Sequence, residues 1–125
     1  LVEDRTIAGI EEARDLFRDE GQLSRLAKYH RDKTRWVLDA WIGSWLHPDF
    51  ASWSLEPVLP RVACPALVIH GRDDEYGSPR HPALTAELLG ETAQLELMDD
   101  TGHVPHRERE PEVVRRVATF VAGLP

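Results

Sequence analysis

"PALVIHGRDDEYGS", residues 65–78, and "QLELMDDTGHVPHREREPEVV", residues 94–114, decide the fold of this chain. Each opens on a short apolar run of β-strand character, "ALVIH" and "QLELM", and each run empties into a glycine-containing loop carrying carboxylates. Between them "RHPALTAELLG" has helical spacing and ends on Gly90, and after them "PEVVRRVATFVAG" opens on a proline and closes on a glycine. The second half therefore reads β-α-β-α. A strand, a crossover helix and a second strand imply a parallel pair with a right-handed connection. "ALVIH" is apolar until its last residue, as expected of a strand covered on both faces.

The first half reads differently. Ile7, Ile10, Ala13 and Phe17 recur at helical spacing, with Asp4 and Thr6 as candidate caps and Gly21 as a stop. A second short pattern runs through Leu23, Leu26 and Ala27. A third runs through Val37, Ala40, Trp41 and Trp45 and ends at His47-Pro48, because the residue before a proline is pushed out of helical geometry. From His47 to Pro60 three prolines and no sustained period mark a connector with apolar anchors. The expected organisation is a helical region over 1–54 and a β-α-β-α region over 55–125.

The whole chain bounds the function. Its 125 residues fit one domain-sized core, and a formal charge of -7 leaves no basic stripe for neutralising phosphates, so nucleic acid and anionic membranes are not expected partners. No apolar stretch approaches the roughly 18 residues of a spanning helix, and no signal segment opens the chain, which points to the cytoplasm. The single cysteine, Cys64, excludes an internal disulfide and is expected to be a buried small hydrophobe ahead of the first strand. The chain begins at Leu1 and its one methionine is Met98, so it is expected to be a piece of something longer. Two parallel strands leave an open edge and uncovered faces, which favours the same expectation.

Chemistry concentrates where the strands end. In an open parallel sheet ligands sit outside the carboxyl ends of the strands, so the loops "GRDDEYGS" and "DDTGHVPH" become neighbours across the sheet top. A carboxylate from the first would meet an imidazole from the second. An acid orienting a histidine that takes a proton from a nucleophile is the logic of the catalytic triad. The alternative readings of these residues are an Asx turn at the carboxylate, a structural strand-end histidine, and a metal site using His103 and His106 with Asp73, Asp74, Asp99 or Asp100. The metal reading is the weakest, since His-x-x-His in a proline-containing loop does not place both rings on one helix face.

Taken together, "PALVIHGRDDEYGS" followed by "LELMDDTGHVPHREREPEVVRRVATFV" resembles the carboxyl-terminal half of an α/β-hydrolase, and the helical first half resembles the cap inserted in that family. The resemblance implies a partial α/β-hydrolase fold, with the acid three residues after the glycine that closes the penultimate strand. That residue is Asp74, with Asp73 one earlier as the fallback. It implies the base at the histidine that follows a glycine after the last strand, which is His103, leaving His106 as a loop residue. It implies hydrolysis of an ester, or of a C–C bond in a small apolar carbonyl substrate, with no metal and no cofactor. Trp41 and Trp45, one turn apart on a helix face, are the candidate substrate wall, against the simpler reading that they hold the helical layer together.

The departure from the family pattern is the nucleophile. A G-x-S-x-G elbow is required, and Ser24, Ser44, Ser52, Ser54 and Ser78 all lack its flanking glycines and its strand-to-helix context. The chain is thus expected to carry an acid and a base without the group they serve, and to be inactive alone. The nucleophile could be a serine or an aspartate outside these residues. The alternative is a non-catalytic module or pseudoenzyme whose exposed sheet edge, beside "ALVIH", pairs with a second copy of the chain or binds a partner, whereas in the fragment reading the missing amino-terminal half covers that edge.

Overall fold

A computed structural model describes residues 2–125. It is mixed α/β, with a two-stranded parallel sheet, and it divides into two compact units, Val2–Trp53 and Ser54–Pro125. No helix among the described residues is long and apolar enough to cross a membrane.

The unit Val2–Trp53 is three helices: α1 (Asp4–Leu16), α2 (Glu20–His30) and α3 (Thr34–Trp45), with α3 packed against both others. The start of α1 corrects the expected caps. Glu3 is the N-cap, and its carboxylate accepts from the Thr6 N–H while Thr6 Oγ1 accepts from the Glu3 N–H, a reciprocal box that satisfies two otherwise orphaned donors. Thr6, Gly9, Ile10 and Ala13 form the buried stripe of α1.

Gly21 does not stop a helix; it lies in the first turn of α2. Asp19 starts that helix by accepting from the Gln22 N–H at 3.0 Å, so the break falls at Phe17–Asp19 instead. In α3 the buried residues are Thr34 and Leu38, whereas Val37 is half-buried and Ala40 exposed. The helix is apolar on nearly every side, so the apolar period alone does not select the face that packs. It ends ahead of His47-Pro48, as the proline requires.

In the unit Ser54–Pro125, β1 (Ala66–Gly71) pairs in parallel with β2 (Ala93–Met98), in register from Ala66 opposite Ala93 to Gly71 opposite Met98. The crossover helix α4 (Arg80–Leu89) packs on both strands and stops at Gly90, whose φ of 70° only glycine adopts without strain. A one-turn helix α5 (Pro105–Glu108) and α6 (Glu110–Ala122) follow β2 and pack on β1. The stretch after His103 was expected to be loop until Pro111. Pro105 instead occupies the first helical position of α5, where its missing N–H costs nothing, and Pro111 falls inside the first turn of α6.

Two expectations about burial are corrected. Ala66 to His70 of β1 are half-buried rather than covered on both faces, because the sheet has two strands and the second edge of β1 is unpaired among the described residues. Cys64 is exposed: Val62 to Pro65 run into β1 as irregular backbone with every residue exposed.

The tightest part of this unit is not mid-sheet. Its buried residues are Gly71, Asp74, Gly77, Pro82, Met98 and Thr101, all at the carboxyl ends of the strands, in the loops that follow them or in the first turn of α4. Met98 is 2% exposed and Thr101 1%. Packing density and polar chemistry therefore converge on one place.

Candidate active site

The two strand-end loops are stitched together by their backbones. Arg72 N–H donates to the Met98 carbonyl at 2.9 Å, and Asp73 N–H donates to the Thr101 carbonyl at 2.9 Å. The approach is so close that a Cβ on Gly71 would lie 2.2 Å from the carbonyl oxygens of both Thr101 and Gly102. Only glycine fits there, for reasons of contact rather than torsion. The turn before His103 is tight as well. Asp100 has a φ of 48°, and Thr101 Oγ1 donates to the Asp99 carbonyl at 2.9 Å. Short-chain aspartate tolerates this left-handed backbone better than most residues.

Stitching the loops brings Asp74 and His103 together. His103 Nδ1 lies 3.1 Å from Asp74 Oδ1 and 3.0 Å from Oδ2. A proton on Nδ1 donates to the carboxylate, which leaves Nε2 on the far side of the ring. The Asp74 side chain is 6% exposed and that of His103 51%, so a buried acid faces an accessible imidazole. Asp74 Oδ1 also accepts from the Tyr76 N–H at 2.8 Å. The Asx turn and the histidine contact are not rivals: one carboxylate makes both. Asp73 is exposed, and its neighbour is the residue that faces the imidazole.

Three further residues shape this pair. His70, the last side chain before Gly71, donates from Nε2 to the Gly77 carbonyl at 3.0 Å and lies 3.7 Å from Asp74 Oδ2. Tyr76 sets its ring edge-on to the His103 ring, with centroids 4.7 Å apart and planes at 71°. Glu108 closes α5 back over the loop: one oxygen accepts from the Gly102 N–H at 2.7 Å, the other from the Val104 N–H at 2.9 Å. Those two bonds hold the Glu108 carboxyl below its ordinary range, the Gly102 bond being the larger cause, and Arg109 adds to the effect while desolvation and Asp74 oppose it. A polar residue ending an otherwise apolar strand was the visible signal for His70. For Glu108 there was no such signal, because its role rests on the direction of the Gly102 and Val104 N–H groups.

His106 is exposed on α5. Trp41 and Trp45 belong to the helical unit. Trp45 packs edge-on against Phe50 and Trp53, with centroid distances of 5.2 and 6.1 Å, and Phe50 stacks on Trp53. That unit has an open cavity of about 430 Å³ lined by residues from Asp39 to Phe50, and neither Trp41 nor Trp45 lines it. Among the described residues no three His, Cys, Asp or Glu side chains converge as a metal site.

Chemically, the arrangement is a base whose tautomer is fixed by a buried acid. It can accept a proton at Nε2 and hold the resulting cation beside Asp74. Among the described residues no serine hydroxyl hydrogen-bonds to His103. Ser24 and Ser44 lie in α2 and α3, and Ser54 pairs with Glu56. Compared with known proteins, the chain matches no family model and no curated sequence.

Proposed function

We propose that this chain is the carboxyl-terminal part of a cytoplasmic α/β-hydrolase, with Asp74 and His103 as acid and base of a nucleophile–His–acid triad. The supporting observation is the His103 Nδ1–Asp74 contact of 3.0 Å across the ends of two parallel strands. In this reading a serine from outside the 125 residues gives its proton to His103 Nε2 as its oxygen attacks the carbonyl of a small apolar ester or ketone. Asp74 keeps the Nδ1–H tautomer and stabilises the imidazolium, which then protonates the leaving group. Water, deprotonated by the same imidazole, releases the acid and restores the serine. Backbone N–H groups of the parent would hold the oxyanion. The chemistry calls for no metal and no organic cofactor.

The chain alone is expected to show no turnover of p-nitrophenyl esters. In the intact parent His103→Ala should lower kcat by about 10⁶-fold while His106→Ala leaves it near wild type. Equal loss in both variants, or loss in His106→Ala only, overturns the assignment. So does a parent sequence with no nucleophile elbow upstream.

A second reading, a non-catalytic module that pairs through its sheet edge, draws on the unpaired side of β1 and on Val114, Val117, Val121 and Leu124, exposed at helical spacing along α6 and just beyond. Light scattering bears on both: a stable dimer of the purified chain favours the module, and a well-folded monomer counts against the missing strands.

A further inference from the structure

We propose that Glu108 is the positioning residue for His103, and that its two carboxylate oxygens, one on each N–H flanking that histidine, aim the imidazole at Asp74. The catalytic meaning of this rests on the reading above; the positioning itself is a claim about geometry.

The need for such a device follows from exposure. His103 is in a loop with half of its side chain open to solvent, so the Tyr76 edge contact and the Asp74 bond act on the ring while the backbone that carries it needs a support of its own. On the β1 side, Gly71 leaves room for the Thr101 and Gly102 carbonyls, which a Cβ there would meet at 2.2 Å, and this fixes where the loop begins. From the other side, Glu108 holds the Gly102 N–H at 2.7 Å and the Val104 N–H at 2.9 Å. Two donors separated by one residue, converging on one rigid carboxylate, define the arch on which that middle residue stands. These are charge-assisted bonds, stronger than neutral ones.

Ordinary helix capping accounts for only half of this. Val104 is the N-cap of α5, its carbonyl accepts from the Glu108 N–H at 3.1 Å, and its own N–H donates back to Glu108 Oε1. That reciprocal pair would start α5 by itself. Gly102 lies two residues before the cap, outside the helix, yet it makes the shorter bond. The second oxygen serves the histidine loop. Arg109, next along the chain, adds a third tether from Nη2 to the Asp100 carbonyl at 3.0 Å.

The test uses the full 125-residue chain with ¹⁵N-labelled histidine, at a pH where His103 is neutral. In wild type the His103 signals should report the proton on Nδ1. In Glu108→Ala they should move toward the Nε2–H form that free histidine favours. Exchange of the Gly102 and Val104 amides should rise about tenfold or more, and the β1–β2 amides should keep their protection. Glu108→Gln, with one acceptor oxygen, should leave only one of the two flanking amides protected. An unchanged Nδ1–H signal in Glu108→Ala overturns the proposal. If that variant loses the strand protection as a whole, Glu108→Gln decides, and intact strands with an unchanged tautomer and both amides protected again overturn it. In an active parent Glu108→Ala should lower kcat by about 10²-fold with KM little changed. A parent without esterase activity would sink the hydrolase reading but leave the tautomer result standing, so the two failures are told apart.

Discussion

The imidazole of His70 and the carboxylate of Asp74 lie 3.7 Å apart at the end of β1, and the same His70 nitrogen donates to the Gly77 carbonyl at 3.0 Å. One strand residue thus ties down the far end of the loop whose middle is Asp74. Because a carbonyl can only accept, Nε2 must carry a proton, and its positive edge is turned toward the acid. His70→Ala would leave the Gly77 carbonyl without this donor. The expected loss is about 1–3 kcal/mol in urea unfolding, with faster exchange of the Tyr76 amide that Asp74 accepts. Unchanged exchange at Tyr76 would show that His70 does not hold this loop.

Gly71 and Gly43 make a matched pair of substitutions with opposite expected signs. At Gly71 the added methyl meets two backbone carbonyls at 2.2 Å, atoms that cannot swing aside as a side chain would. Gly71→Ala should cost about 3 kcal/mol and spread the two loops. At Gly43, in α3, nothing lies within 4 Å of the new methyl, so alanine should stabilise the helical unit by about 0.5–1 kcal/mol. Thermal melts of both variants check the pair, and a neutral Gly71→Ala would refute the close approach.

The β-α-β-α order was legible because apolar runs and terminators mark strands and helix ends without reference to anything distant. The meeting of Asp74 with His103 was legible for a related reason: parallel strands place their carboxyl ends side by side, so the residues just past them become neighbours. Glu108 was not, since its task depends on which way two backbone N–H groups point, and no spacing rule encodes that. The packing face of α3 was hidden by excess: with Val37, Leu38, Ala40, Trp41, Ile42 and Trp45 in one helix, several stripes fit equally well. Cys64 was not legible because the apolar run that follows it suggests burial, while the segment in which it stands, Val62 to Pro65, is exposed at every residue.

Acid should loosen the histidine loop through Glu108. Its folded pKa is held below the ordinary 4.5 by the Gly102 and Val104 N–H groups, with Arg109 favouring the ionised form and Asp74 opposing it. A group with a lowered folded pKa contributes stability that is fully present above its unfolded pKa and is lost as pH falls through the folded one. The window is therefore below about pH 4.5, and at neutral pH the contribution is complete. Glu112, whose carboxyl is lowered chiefly by its bond to Arg116, titrates in the same direction. Glu108→Gln should flatten, without abolishing, the fall of the urea midpoint between pH 5.5 and 3, and the Gly102 amide should lose its pH-dependent protection. An acid limb identical to wild type would rule this out.

Trp45 separates structural from substrate roles in the helical unit. Its ring meets Phe50 and Trp53 edge-on, and those two stack, so three aromatic groups close the end of α3 against the segment that follows it. Edge-on pairs of this kind contribute about 0.5–1.5 kcal/mol each beyond their buried area. Trp45→Ala should therefore destabilise the chain by about 2–4 kcal/mol, while Trp45→Phe, which keeps one ring in the cluster, should recover at least half. If Trp45 were instead a substrate wall, Trp45→Ala in an active parent would change the preference between short and long acyl esters while Trp45→Phe melted like wild type. A loss of stability at unchanged acyl preference assigns Trp45 to the core of its unit, and Trp41→Ala, measured the same way, then tests the one remaining tryptophan candidate.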